Sequence, residues 1–106
     1  MTQAARLEAR LLTASELELV AQTRPPEIER QSDDELKAAA RRLREARDRA
    51  KGIAARQRRE IRGKAAPHGA RAAKDNFGTV GKGQALRDAL DRVEAEQRRR
   101  AAAALK

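Results

Sequence analysis

The chain contains no cysteine, so disulfides, thiolate metal sites and cysteine nucleophiles are excluded. It also lacks Trp and Tyr and has a single Phe, Phe77. Readers of specific single-stranded RNA sequences stack bases on several aromatic rings, and that platform is missing here. The lone histidine, His68, has no second histidine or cysteine to complete a metal site. Its place between Pro67 and Gly69 predicts a surface turn. Acidic residues sit among basic neighbours and form no isolated carboxylate dyad, so no enzyme is expected and neither cofactor nor metal is implied. No apolar run reaches the length of a signal peptide or a membrane span, which predicts a cytoplasmic protein.

Large apolar residues are scarce as well. Leu, Ile, Val and Phe account for 17 of the 106 residues. That share lies below the roughly 20 per cent under which a highly charged chain is suspected of disorder. Most of the remaining hydrophobic content is alanine, which favours helix but buries little area. A lone compact core is therefore marginal, and a homodimer that pools its apolar stripes is expected. The abundance of Ala and Arg matches the coding bias of a GC-rich bacterial genome.

Positive charge is what the chain has in excess, with 25 Lys and Arg against 16 Asp and Glu and a net charge of +9. It is unevenly placed. Residues 1–36 carry 4 basic and 8 acidic side chains, residues 37–64 carry 12 and 3, and residues 65–106 carry 9 and 5. A clustered basic block of this kind attracts phosphate backbones, anionic membranes or acidic protein surfaces.

The pattern along the chain is all-α. An acidic N-terminal helical segment, 1–31, contains a capping-box pattern at Ser15 and Glu18 and a stop near Thr23, ahead of Pro25 and Pro26. Residues 32–106 read as a helical hairpin of helix 32–63, loop 64–81 and helix 82–104. In the first of these, Ser32 and Glu35 form a second capping box. Leu36, Ala39, Leu43, Ala46, Ala50, Ile53, Ala54 and Ile61 follow in one apolar stripe. Gly52 interrupts this helix off the stripe, which suggests a tolerated glycine, a slight kink or a close approach by a partner. In the second helix, Leu86, Ala89, Leu90, Val93 and Gln97 make the seam. The loop between them is rich in Gly, Lys and Arg, and the stretch 62–83 that contains it holds five of the six glycines. It is far longer than the 2–8 residues or so that helix–helix connections need, so a function is expected of it.

"GTVGKG" within that loop invites comparison with a nucleotide-binding phosphate loop, but the fit fails. Asn76 stands where the first glycine belongs, Gly83 replaces the magnesium-binding hydroxyl, and no strand precedes it. "DNFGT" reads as a turn, with Phe77 expected to anchor the loop onto the helices rather than to stack on an exposed base.

The arginine density of helix 32–63 is the strongest functional signal. Arg41, Arg44, Arg49, Lys51, Arg56, Arg59 and Arg62 spread over an arc opposite the apolar stripe, and Arg47 and Arg58 flank it. Only Glu45, Asp48 and Glu60 balance them within residues 37–64. Arginine dominates, and its planar fork suits phosphate. Lys64, Arg71 and Lys74 in the loop would add to the same surface.

The sequence therefore predicts a small basic nucleic-acid-binding protein that contacts the phosphate backbone of DNA or structured RNA with little base readout. The alternative is a protein-interaction or regulatory module, an oligomeric bundle that binds an acidic protein partner. In that case the acidic N-terminal segment would mask the basic helix. Membrane binding is disfavoured, because an alanine stripe without Trp inserts poorly into lipid.

Overall fold

The computed structural model describes residues 3–63 and 68–105, with the backbone alone for 4–5, 63 and 68–76. It is all-helical, with no strand among the described residues. Three short helices, α1 (Gln3–Leu11), α2 (Ala14–Ala21) and α3 (Glu27–Arg30), precede two long ones, α4 (Asp33–Gly63) and α5 (His68–Ala104).

Helix α4 starts where its capping residues dictate. Ser32 Oγ accepts the Glu35 N–H at 3.1 Å, and Glu35 Oε1 accepts the Ser32 N–H at 2.9 Å. The Ser32 backbone N–H, seconded by its hydroxyl, holds the Glu35 carboxyl below its usual pKa. Asp33 and Asp34 complete an acidic first turn against the positive end of the helix dipole. At about 1.5 Å per residue, the 31 residues of α4 make a rod of about 46 Å.

Helix α2 is capped at Thr13 and Glu16, not at the expected Ser15 and Glu18. Thr13 N–H donates to Glu16 Oε1 at 2.8 Å, and Glu16 N–H donates to Thr13 Oγ1 at 3.3 Å. Both pairs have the capping-box spacing. The earlier one lets the Glu16 carboxylate also reach Lys82 Nζ on α5, at 3.1 Å.

The expected loop 64–81 is corrected over its described part, because α5 already begins at His68. His68 therefore opens a helix instead of occupying a surface turn, and the segment from Asp75 to Gly78 is helical. Each helical glycine costs about 1 kcal/mol relative to alanine. Packing offsets that cost. Gly81 passes so close to α1 that an added Cβ would lie 3.0 Å from Leu11 Cδ1, and one at Gly83 would lie 3.8 Å from Ala50 Cβ. Local turn chemistry yields because the helix propagates from a well-packed C-terminal half.

Helices α4 and α5 run antiparallel: Arg100 of α5 reaches Asp33, Glu94 faces Arg44, and Gly83 lies against Ala50. Leu36 and Leu43 interlock with Leu86, Leu90 and Val93, and alanines between them let the backbones approach closely. Leu12, Val20 and Ile28, one from each short helix or its end, close this core from the side. The apolar stripe of α4 is covered from Leu36 to Ala50 by α5 and the short helices of the same chain. The molecule is correspondingly elongated, 60 × 27 × 19 Å.

An added Cβ at Gly52 would meet nothing within 4 Å, so no close contact among the described residues accounts for this glycine. Gly52→Ala is expected to stabilise the protein by about 0.5–1 kcal/mol through helix propensity alone. Leu43→Ala, at a fully buried core position, is expected to cost about 2–5 kcal/mol. Urea unfolding followed by circular dichroism at 222 nm measures both.

Candidate nucleic-acid interface

Helix α4 meets α5 along two seams, and the short N-terminal helices treat them differently. They cover one seam. Leu11 packs on Gly81, Glu16 pairs with Lys82, and Leu19 and Gln22 lie over Arg42 and Ala46. Arg92 of α5 points into this covered side, where its Nε donates to Thr23 Oγ1 at 3.0 Å. Burial, then the nearby Arg24 guanidinium, lowers the Arg92 pKa from its ordinary value.

Two acidic residues of the N-terminal segment, Glu8 and Glu16, are paired on this side. Glu8 is buried and accepts two hydrogen bonds from Arg24, at 2.7 and 2.8 Å, which hold its carboxyl below the usual range against the opposing effect of burial. Burial pushes the Glu16 carboxyl up. The Thr13 backbone N–H and Lys82 together outweigh burial, and its pKa ends below the ordinary value. Asp33 pairs with Arg100. Among the described residues, no carboxylate of the N-terminal segment bridges a cation of α4.

Most cations of α4 lie on the remaining surface, while Arg42 and Arg49 border a hollow beside Glu16 and Glu18 of α2. Arg41, Arg44, Arg49, Lys51, Arg56, Arg59 and Arg62 are all exposed. Of these seven, only Arg44 forms an ion pair among the described residues, with Glu94 at 3.4 Å. The structure does not gather them into a single patch. Arg41 and Arg59 are 18 residues apart, five full helical turns, and share the outer ridge about 27 Å from one another. Arg49 and Arg56 line a shallow hollow of about 460 Å³ beside Gly52 and Ile53. Lys51 borders the uncovered seam, and Arg44 reaches Glu94 of α5. Lys64 lies outside the described residues. Arg71 and Lys74 are on the backbone of α5, and their side chains are likewise outside the description.

Asp33 and Glu94 have Lys37 and Arg98 four residues ahead on their own helices, a spacing that favours ion pairs, yet they reach across to Arg100 and Arg44 instead. Glu96 does pair with Arg100 at that spacing, at 2.8 Å, and Arg99 joins it at 2.7 Å. Arg100 also donates to the carbonyl oxygens of Ile28 and Glu29, at 3.3 and 3.5 Å. It thereby clasps the end of α5 to the junction of α3 and α4.

Phe77 does not anchor anything. It is 82 % exposed on α5 and thus departs from the plug expected of it. The reason is the helix itself, which turns position 77 away from the seam that Leu86 and Leu90 occupy. Among the described residues, no helix is long and apolar enough to cross a membrane, and no group of three His, Cys, Asp or Glu side chains is placed to hold a metal.

The Arg99 and Arg100 guanidinium groups draw the Glu96 carboxyl down to about 2. A carboxyl whose folded pKa lies below its unfolded value of 4.5 stabilises the fold fully above pH 4.5. That contribution is lost as pH falls from about 4.5 toward 2. Stability is therefore expected to decline over this acid range, and Glu96→Gln should make the decline shallower. Denaturation midpoints recorded at successive pH values check this. No family model, curated protein or solved structure matches the chain.

Proposed function

We propose that the protein binds nucleic acid through the phosphate backbone, with the cations of α4 as its principal contacts and little base readout. One observation carries this reading: six of the seven described cations assigned to this surface have no carboxylate partner among the described residues, although the chain holds 16 acidic side chains. Such a face repels itself until a polyanion supplies the counter-charge. Arg41, Arg49, Arg56 and Arg59 carry guanidinium forks suited to paired contacts with phosphate oxygens. The cations are strung along a rod of about 46 Å. That shape follows an extended polyanion better than it surrounds a small anion. No enzymatic step is assigned to the protein.

The alternative, an acidic protein partner drawn to the same face, is separated from this reading by salt dependence on defined nucleic acid. Binding to a labelled oligonucleotide is expected to weaken steeply as salt rises, because each neutralised phosphate releases counterions. Arg41→Ala, Arg56→Ala and Arg59→Ala combined should reduce the log–log slope by about 2–3, at roughly 0.7–0.9 per contact. Fluorescence anisotropy at several salt concentrations measures the slope. An affinity indifferent to salt refutes the reading.

A further inference from the structure

The uncovered seam between α4 and α5 is built differently from the outer ridge. It forms a groove of about 510 Å³ to which α1, α2 and α3 contribute no residue. Arg47, Lys51 and Arg58 border it from α4, and Arg87 borders it from α5, with no acidic side chain in its lining. Arg47 contacts its neighbour Asp48 at 3.1 Å, whereas Lys51, Arg58 and Arg87 have no ion pair among the described residues. Its floor is small and apolar, formed by Ala50, Ala54 and Gly83.

Two periodicities align with this groove. On α4, Lys37, Arg44, Lys51 and Arg58 recur every seven residues, a spacing that drifts only about 20° per step and so keeps them in line along one flank. On α5, Phe77, Val80, Gln84 and Arg87 follow at intervals of three and four, which places them on one flank of that helix. Val80, Gln84 and Arg87 border the groove. Phe77 lies one turn beyond Val80 on the same side, about 15 Å along the axis from Arg87. The only aromatic ring of the chain is therefore exposed on α5 beyond Val80, outside the lining of a groove with cations from two helices.

We propose that this groove holds a single strand of nucleic acid, with its sugar–phosphate backbone between Lys51, Arg58 and Arg87 and an unpaired base stacked on Phe77. The proposal deepens the nucleic-acid reading above and rests on it. Duplex bases are stacked on one another and offer no face to a protein ring, whereas an unpaired base of any identity does. A single ring gives no sequence readout, in keeping with contacts that are otherwise to phosphate. The apolar floor accommodates sugar carbons without leaving a buried polar group unmet.

Full-length protein titrated into labelled oligothymidine of about 12 nucleotides, within the usual site sizes for single strands, tests this beside a duplex of equal length. The single strand is expected to bind at least about tenfold tighter. Phe77→Ala should weaken single-strand binding by about 5- to 150-fold, the equivalent of one lost stacking contact, and leave duplex binding unchanged. Arg58→Gln combined with Arg87→Gln should weaken the single strand and lower its salt slope by about 1.4. All three side chains are exposed, so circular dichroism should show unchanged helicity.

Equal affinity for duplex and single strand overturns the proposal. So does an inert Phe77→Ala, or a loss confined to the Arg41, Arg56 and Arg59 variants. In each of these cases backbone binding through α4 survives. Absence of salt-sensitive binding to either nucleic acid removes both readings together.

Discussion

The close packing of alanine-rich faces on α4 and α5 is the constraint on which the rest depends. A chain with so few large apolar residues cannot build a thick core. It compensates by bringing two helices near enough that Leu36, Leu43, Leu86, Leu90 and Val93 interlock across small neighbours. This thin core has a consequence for charge. Only a narrow stripe of α4 is needed for packing, so most of its circumference is left to arginine. The same economy of apolar surface that makes the fold slender makes its surface cationic.

Charge neutralisation is segregated. The acidic N-terminal helices pack over one seam, where Glu8 pairs with Arg24 and Glu16 with Lys82, while Asp33 and Glu96 hold Arg100. These contacts tie the short helices and the end of α5 to the pair. They also leave the α4 cations without acidic counterparts among the described residues, Arg44 and Arg47 excepted. An autoinhibitory mask would require the reverse arrangement, with N-terminal carboxylates laid along the α4 arginines. The two seams consequently differ in kind, one filled by protein and one open and basic.

Much of the candidate surface was legible from residue order because a helix converts spacing into direction. Ser32 and Glu35 mark the start of α4, Gly63 its end, and the 3–4 spacing of Leu36, Ala39, Leu43 and Ala46 marks the buried face. The arginines between those positions had to point outward. Arg87 was not legible as a groove residue. Its role depends on which flank of α5 faces α4, and no local pattern states that. The run of Lys37, Arg44, Lys51 and Arg58 was a usable signal, since a seven-residue repeat of cations lies beside the apolar stripe.

By itself, the sequence determined the helical class, the limits of α4 and the excess of arginine on it, because propensity, capping and periodicity act over a few residues. The tertiary structure alone decided that residues 68–81 join α5. A run of Gly, Asn and Asp reads locally as a turn, and packing on Leu11 and Ala50 is what outweighs that preference. Tertiary contacts also decided where the acids of residues 1–36 are spent and that Phe77 is left outside. Both depend on which surfaces meet in space, and a list of residues does not contain that information.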